Sequence, residues 1–313
     1  MKPTVKVSRS GKVTAPEEHL HFDSLGELTD WLTEGKGTEE AVRADKLSMS
    51  SRCGTLSSVK EGKGESWDLG AGWEGAMEMA LHTGWEKGAK KIRDLVERMD
   101  DYDPEVSESG ATDQLGFRWD EEGEELDIAA FLEGDDRPWL QPIWDDTKPI
   151  VRILVDCGAS CAVSAQAMEA RGAVMAALCK KLERVGFGVQ LYMGFASPSA
   201  GGTCCSVRIK DSDERVDEGV VAFWLAHPGA FRRIGFRMIE AMHVNVGSGY
   251  GIPGQMVCED FDMVSASGHL NRADAEGWTN DPDAAAKATI ELCNQILSER
   301  GTVAAEVTGG VDD

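Results

Sequence analysis

The segment Ile150-Val151-Arg152-Ile153-Leu154-Val155-Asp156-Cys157-Gly158-Ala159-Ser160 decides how this chain is read. Ile150–Val155 is an aliphatic run interrupted only by Arg152, which predicts a buried strand. The strand ends on an acid and a small-residue turn. Ser164–Val185 then has helical spacing, with Met168, Met175, Leu178, Leu182 and Val185 on one face and Ser164 as its cap. Gly186-Phe187-Gly188 stops that helix. Val189–Phe195 predicts a second strand and Cys204–Lys210 a third, and the turn at Pro198–Gly202 invites an antiparallel hairpin. Helices are expected over Val216–Ala226 and Pro228–Met242, and a fourth strand over Asp262–Ala266. A last helix runs from the Asp281-Pro282 cap to Leu297. This order is the grammar of a three-layer α/β sheet with helices on both faces, placed here at residues 149–300. In such sheets ligands bind at the carboxyl ends of the strands. Residues 301–313 read as a polar tail.

The first half is less regular. Residues 1–18 are polar and carry Pro3, Gly11 and Pro16, so they read as a loose arm. Leu25, Leu28, Trp31 and Leu32 predict a short helix over Phe22–Leu32, capped by Asp23 or Ser24. Residues 35–64 have no sustained period and read as loop. A single helix is expected over Trp73–Met99, with an apolar face from Trp73 to Met99. Gly84 and Gly88 weaken it by about 1 kcal/mol each, which suggests that another backbone packs close to them. Residues 1–100 thus form a mainly helical and irregular region. Residues 101–148 read as an acidic linker. From Asp94 to Asp136 there are 17 Asp and Glu against Arg98 and Arg118, enough for a solvated run that could dock a basic partner. Within it, Leu126–Leu132 is expected to be a short helix and Pro138–Trp144 an extended segment.

The 313 residues suit one large domain or two smaller ones, and the 42% apolar share supports a true core. A formal net charge of −23 disfavours nucleic acid and anionic membranes as partners. The best basic patch for DNA is Arg232, Arg233 and Arg237, three cations against a large negative field. No apolar run approaches the roughly 18 residues of a membrane span, and no stretch has signal-peptide character. The eight cysteines are scattered, with no Cys-x-x-Cys pair, and fit reduced thiols of a cytoplasmic protein better than disulfides or structural zinc. His19 and His21 fall in the N-terminal arm, where no role is expected of them. The glycine-rich Gly247–Gly254 lacks phosphate-loop spacing and reads as a surface loop.

Chemistry is expected at the end of the first strand of the second half. Mg²⁺ takes hard oxygen ligands and keeps several waters, so one carboxylate and a few hydroxyls suffice. Asp156 and Ser160 supply such groups four residues apart. The loop resembles the Asp-x-Ser-x-Ser motif of von Willebrand factor A-like domains. The segment Arg171–Leu191 is similar to the first helix and second strand of these domains in cobalt-chelatase-type proteins. This resemblance covers roughly residues 149–297. It implies a Rossmann-like three-layer fold and a Mg²⁺ or Mn²⁺ site in which Asp156 and Ser160 keep two ligands. Gly158 stands where the middle hydroxyl belongs. Ser265, Ser267 and His269 follow the fourth strand, where the family has Thr-Asp-Gly. The first half, with Trp67, Trp73 and Gly84-Trp85-Glu86-Lys87-Gly88, resembles an uncharacterised protein group of bacteriophage genomes, which implies the host cytoplasm as its compartment.

Three functions follow as expectations. The first is a non-enzymatic module that binds a protein partner through its carboxyl-edge loops, with or without a cation. The second is a phage structural or assembly protein using the α/β domain as scaffold. The third is an enzyme using Asp156, Cys157 and His269, in which the strand-end position lowers the thiol pKa.

Overall fold

The computed structural model describes residues 2–9, 12–16, 18–49, 56, 58–59, 64–102, 116–120, 125–126, 139–143, 149–159, 163–197, 203–214, 217–242, 255–258, 261–265 and 277–308. The strand read first, β7 (Ile150–Asp156), lies inside a five-stranded mixed sheet. Its neighbours are β8 (Gly188–Ser197) and β11 (Met263–Ser265), both parallel to it. Beyond β8 comes β9 (Thr203–Lys210), antiparallel as the intervening turn predicts. The far edge is β3 (Glu18–Phe22), parallel to β9. The main sheet is therefore completed by a strand running from the end of the expected loose arm, Glu18, to the expected start of a helix, Phe22. The alternation in Glu18-His19-Leu20-His21-Phe22 explains it: Leu20 and Phe22 face the core while His19 and His21 face away.

The connecting helix α6 (Ala165–Arg184) begins as the sequence predicts, with Ser164 Oγ accepting the Ala167 N–H at 3.1 Å. It is buried on nearly every side. α5 (Glu86–Tyr102), α7 (Glu218–Ala226) and α9 (Pro282–Thr308) pack around it. Gly172 makes the α6–α7 contact possible, since a Cβ there would sit 2.2 Å from the Leu225 carbonyl oxygen. The helices cover Val151, Ile153, Val155, Leu191, Met193 and Val207.

The other face of the sheet differs from the expectation of helices on both sides. Leu154, Tyr192, Ala196 and Cys204 pack against Val5, Val7, Met256 and Cys258, a cluster that contains no helical residue. Its cover is a second sheet, in which β1 (Val5–Arg9) pairs antiparallel with β10 (Gln255–Cys258) and with β2 (Lys12–Thr14). Buried Val5 and Val7 contribute roughly 1.5–3 kcal/mol each, enough to order an arm that is polar on average.

Other expectations change in detail. The long Trp73–Met99 helix is divided. α4 (Gly72–Glu78) runs into a π-helical turn at Met79–Thr83, and α5 starts after Gly84. Gly84 has φ 62°, and a Cβ on it would lie 2.6 Å from the Gly219 carbonyl carbon, so a second backbone does pack there. Gly88 instead gives way to the ring of Trp85. Residues 39–49, expected as loop, form a helix, and the last helix continues to Thr308 through most of the expected tail. The acidic stretch contains paired strands, β4 (Gly116–Asp120), β5 (Glu125–Leu126) and β6 (Trp139–Ile143). Leu126 is thus in a strand, and 127–132 lie outside the described residues.

The arginines read as a basic patch are the largest correction. Arg232, Arg233 and Arg237 are only 1–2% exposed. Arg233 donates from Nε and Nη2 to Asp68 Oδ2 at 2.8 and 2.6 Å. Arg237 donates to Ser58 Oγ and the Gly37 carbonyl, and Arg232 to the carbonyls of Trp67 and Val163. Two of the guanidinium groups also stack on rings, Arg232 on Trp67 and Arg237 on Trp73, at 4.2 and 4.3 Å. They fasten Gly37, Ser58, Trp67, Asp68 and Trp73 to the second half. The boundary at 149 consequently has elements of one hydrophobic core on both sides.

Candidate functional site

Parallel pairing sets Val155 beside Ser265 and Asp156 beside Gly194, so β7, β8 and β11 meet at one carboxyl edge. Of the residues expected there, the structure brings together the backbones of Asp156, Cys157, Gly158 and Ser265. Ser160, Ser267 and His269 lie outside the described residues.

Asp156 is fully buried. Its Oδ1 accepts the Gly158 N–H at 2.9 Å and its Oδ2 accepts the Met256 N–H at 3.3 Å. The carboxylate thereby clips three pieces of chain together: the strand that carries it, the turn after that strand, and β10 from the second sheet. Hydrogen bonds to a charged acceptor contribute about 1.5–3 kcal/mol each, which offsets the cost of burying it. Among the described residues no group of three His, Cys, Asp or Glu side chains is arranged to hold a metal ion.

Cys157 is 2% exposed, its N–H donates to the Gly194 carbonyl at 2.7 Å, and its thiol lies 3.7 Å from the Trp224 carbonyl. Burial pushes the thiol pKa up to about 12, against a smaller downward pull from Arg171. The lowering expected at a strand end does not occur, because desolvation of a thiolate outweighs the nearby cation. Cys157 is buried in the core, and its burial favours the neutral thiol. The six described cysteines are all buried free thiols.

Arg171, which the sequence offers only within the Arg171–Leu191 segment, is a charged group that reaches this turn. Long helical side chains lean toward the helix N-terminus. Arg171 does so, and its Nη1 donates to the Gly158 carbonyl at 3.3 Å. It is 5% exposed, and its Nε and Nη2 make no hydrogen bond to the protein.

A second polar cluster lies on β3 and β9. His19 Nε2 and His21 Nδ1 sit 2.7 and 2.8 Å from Ser206 Oγ, and His21 Nε2 is 3.3 Å from Asp23 Oδ1. Burial lowers both imidazole pKa values, that of His19 to about 4 with help from Lys2 and His21. Donor counting then fixes the protons. A carboxylate only accepts, so His21 carries its proton on Nε2 and its Nδ1 accepts from Ser206. The Ser206 oxygen in turn accepts from His19 Nε2–H. A hydroxyl, an imidazole and a carboxylate in series can act as a nucleophile relay. Here Ser206 is 1% exposed and its strand is paired on both sides, with Gly194 and with His21. The cluster is a lock that holds the edge strand. Its signal in the sequence is the period-two spacing of His19 and His21, which places both on one face of a strand.

Residues 8–301 match a protein family described as a domain of unknown function, DUF7192. The chain belongs to that family. The match spans both halves, in keeping with the shared core, and makes the region before residue 149 part of the family unit. No curated protein and no solved structure matches the chain.

Proposed function

We propose that the chain is a non-enzymatic protein-binding module of von Willebrand A-like type that presents the loops at the carboxyl edge of its sheet. The observation that carries this reading is the Asp156 clip. A buried carboxylate fixes the turn and β10 through their backbone amides, which builds a rigid frame for the loops above it. Within the described part of this frame the Cys157 thiol is buried and held in its neutral form. The central parallel strands and their crossover helix further support an α/β module of this kind. Mg²⁺ or Mn²⁺ fits the described residues poorly. Each Asp156 oxygen already accepts an N–H, Gly158 has no hydroxyl, and the Arg171 guanidinium points into the same turn.

The test is a capture experiment with the full chain and Ala159→Arg. Ala159 is half-buried on the turn with one side against the core, so the aliphatic stem of an arginine can keep that contact while its charged head blocks the edge. Partner capture should fall at least about tenfold, as for the loss of a central contact, with an unchanged melting temperature. Equal capture by the variant would remove the edge as the binding surface. A second reading, a phage structural or assembly protein, is supported by the buried arginine fastening that joins the two halves around one core. It predicts self-association that is indifferent to Asp156→Ala.

A further inference from the structure

We propose that His19, His21 and Ser206 form an acid-sensitive latch: uptake of protons by the two imidazoles releases β3 from β9 while the centre of the sheet stays paired. The strand is placed for such a release. Among the described strands, β3 ends the five-stranded sheet and has β9 as its one paired neighbour. Its departure breaks a single ladder, whereas β7 and β8 are each held between two neighbours. Edge elements of this kind open at lower free energy than the centre of a sheet.

The reason lies in the protons between the rings. His19 Nε2 and His21 Nδ1 converge on Ser206 Oγ, at 2.7 and 2.8 Å. The hydroxyl carries one proton, which is bonded within this trio only while one of the two ring nitrogens is an unprotonated acceptor. The neutral pair meets that condition. A first added proton is absorbed by reversing the direction of the two hydrogen bonds. A second is not: both nitrogens then donate to the same oxygen, and two cations flank a serine that is 1% exposed. The stranded O–H and the repulsion are both relieved when β3 leaves, because the imidazoles then hold their protons in water. The surroundings add to the effect. Lys2 donates from Nζ to the His19 carbonyl at 3.1 Å, which brings a third positive charge to the strand. Asp23 opposes it, 3.3 Å from His21 Nε2, but its side chain is 59% exposed and screened by solvent. Glu27, from the helix that follows (Leu25–Thr33), is turned to the Asp23 N–H. On β8 Tyr192 stacks on His21 at 6.3 Å, and on β9 Cys204 stands beside His19 in register. Burial raises the pKa of both, so they stay uncharged in acid. Arg208 of β9 is paired with Asp211 at 2.6 Å, and β1 turns Val5 and Val7 toward this face of the sheet. Burial also lowers the pKa of both imidazoles, that of His19 to about 4. The closed latch thus binds fewer protons than the open one. It is fully shut above about pH 6.5 and loosens as pH falls toward 4.

The test is amide hydrogen exchange of the full chain at pH 7 and pH 5, with rates corrected for the intrinsic pH dependence of exchange. Amides of Glu18–Phe22, and those of Thr203–Val207 bonded to them, should lose protection at least about tenfold, the effect of one pKa unit. Amides of Ile150–Asp156 should keep theirs. An equal loss in Ile150–Asp156 overturns the proposal, since it reports unfolding of the whole molecule. Unchanged protection of Glu18–Phe22 overturns it as well. In the double variant His19→Gln, His21→Gln, the side-chain amides can still hydrogen-bond to Ser206 but take up no proton. Its β3 protection should be the same at both pH values, and a tenfold loss there would assign the acid effect elsewhere and sink the latch. The wild-type comparison decides alone where the variant does not fold.

Discussion

The first half of the chain is fastened to the second in two chemically different places. Around Arg233 the fastening is ionic: a guanidinium and the Asp68 carboxylate, each at most 2% exposed, share two hydrogen bonds. At the outer edge of the sheet it is neutral: two imidazoles bracket the Ser206 hydroxyl. The first is buried, the second half-buried around a buried serine, and both bridge residues more than 160 positions apart. They should nevertheless fail differently. Removing one ion of a buried pair strands a charge in low dielectric, whereas removing a neutral partner strands only a dipole.

The largest break should come from Asp68→Ala, which removes the carboxylate that takes two hydrogen bonds from the buried Arg233. A loss of about 3–5 kcal/mol is expected in urea unfolding monitored by circular dichroism. Ser206→Ala should cost less, about 1–3 kcal/mol, because it strands neutral imidazole nitrogens. A smaller loss for Asp68→Ala than for Ser206→Ala would invert the comparison.

Acid should separate the two places further. His19 and His227 are held near pKa 4 by burial, and His21 is lowered in the same direction, while the unfolded chain takes up protons near 6.5. The folded state binds fewer protons, so stability is full above about pH 6.5 and declines as pH falls toward 4. His227, against Trp85 and Phe223, contributes to this decline independently of β3. His19→Gln should shallow the pH dependence of the melting temperature between 6.5 and 4 by removing one of these groups. An unchanged slope would show that His19 titrates normally in the fold. The smallest effect is expected at the exposed pair Arg98–Asp283, 3.0 Å apart with both side chains about half exposed. Arg98→Ala should change stability by about 0–1 kcal/mol, and less at high salt.

The legible parts of the sequence share a feature: each is decided within one segment. The apolar run at Ile150–Val155, the Ser164 cap, the antiparallel pairing of the strands at Phe195 and Cys204 and the Asp281 cap are local patterns, and the structure has each of them. The parts that were misread depend on partners far away in sequence. Val5 and Val7 look like an isolated pair in a polar arm until Cys258 and Met256 are beside them. Arg232, Arg233 and Arg237 look like a surface patch until Asp68, Ser58 and Gly37 are in place. At the candidate site, the strand end and its acid were legible from residues 150–160. The Met256 amide that occupies half of that acid comes from 100 positions away.

The sequence by itself determined the strand–helix–strand grammar of the second half and the position of Asp156 at a strand's carboxyl end, because periodicity and caps act between near neighbours along the chain. Only the tertiary structure decided that a small sheet covers one face, that the arginines are internal, and that Arg171 reaches the turn after β7. Burial inverts the meaning of a polar residue: an exposed arginine is a patch, a buried one must find its acceptor. Which of the two holds depends on segments that meet only when the chain has folded.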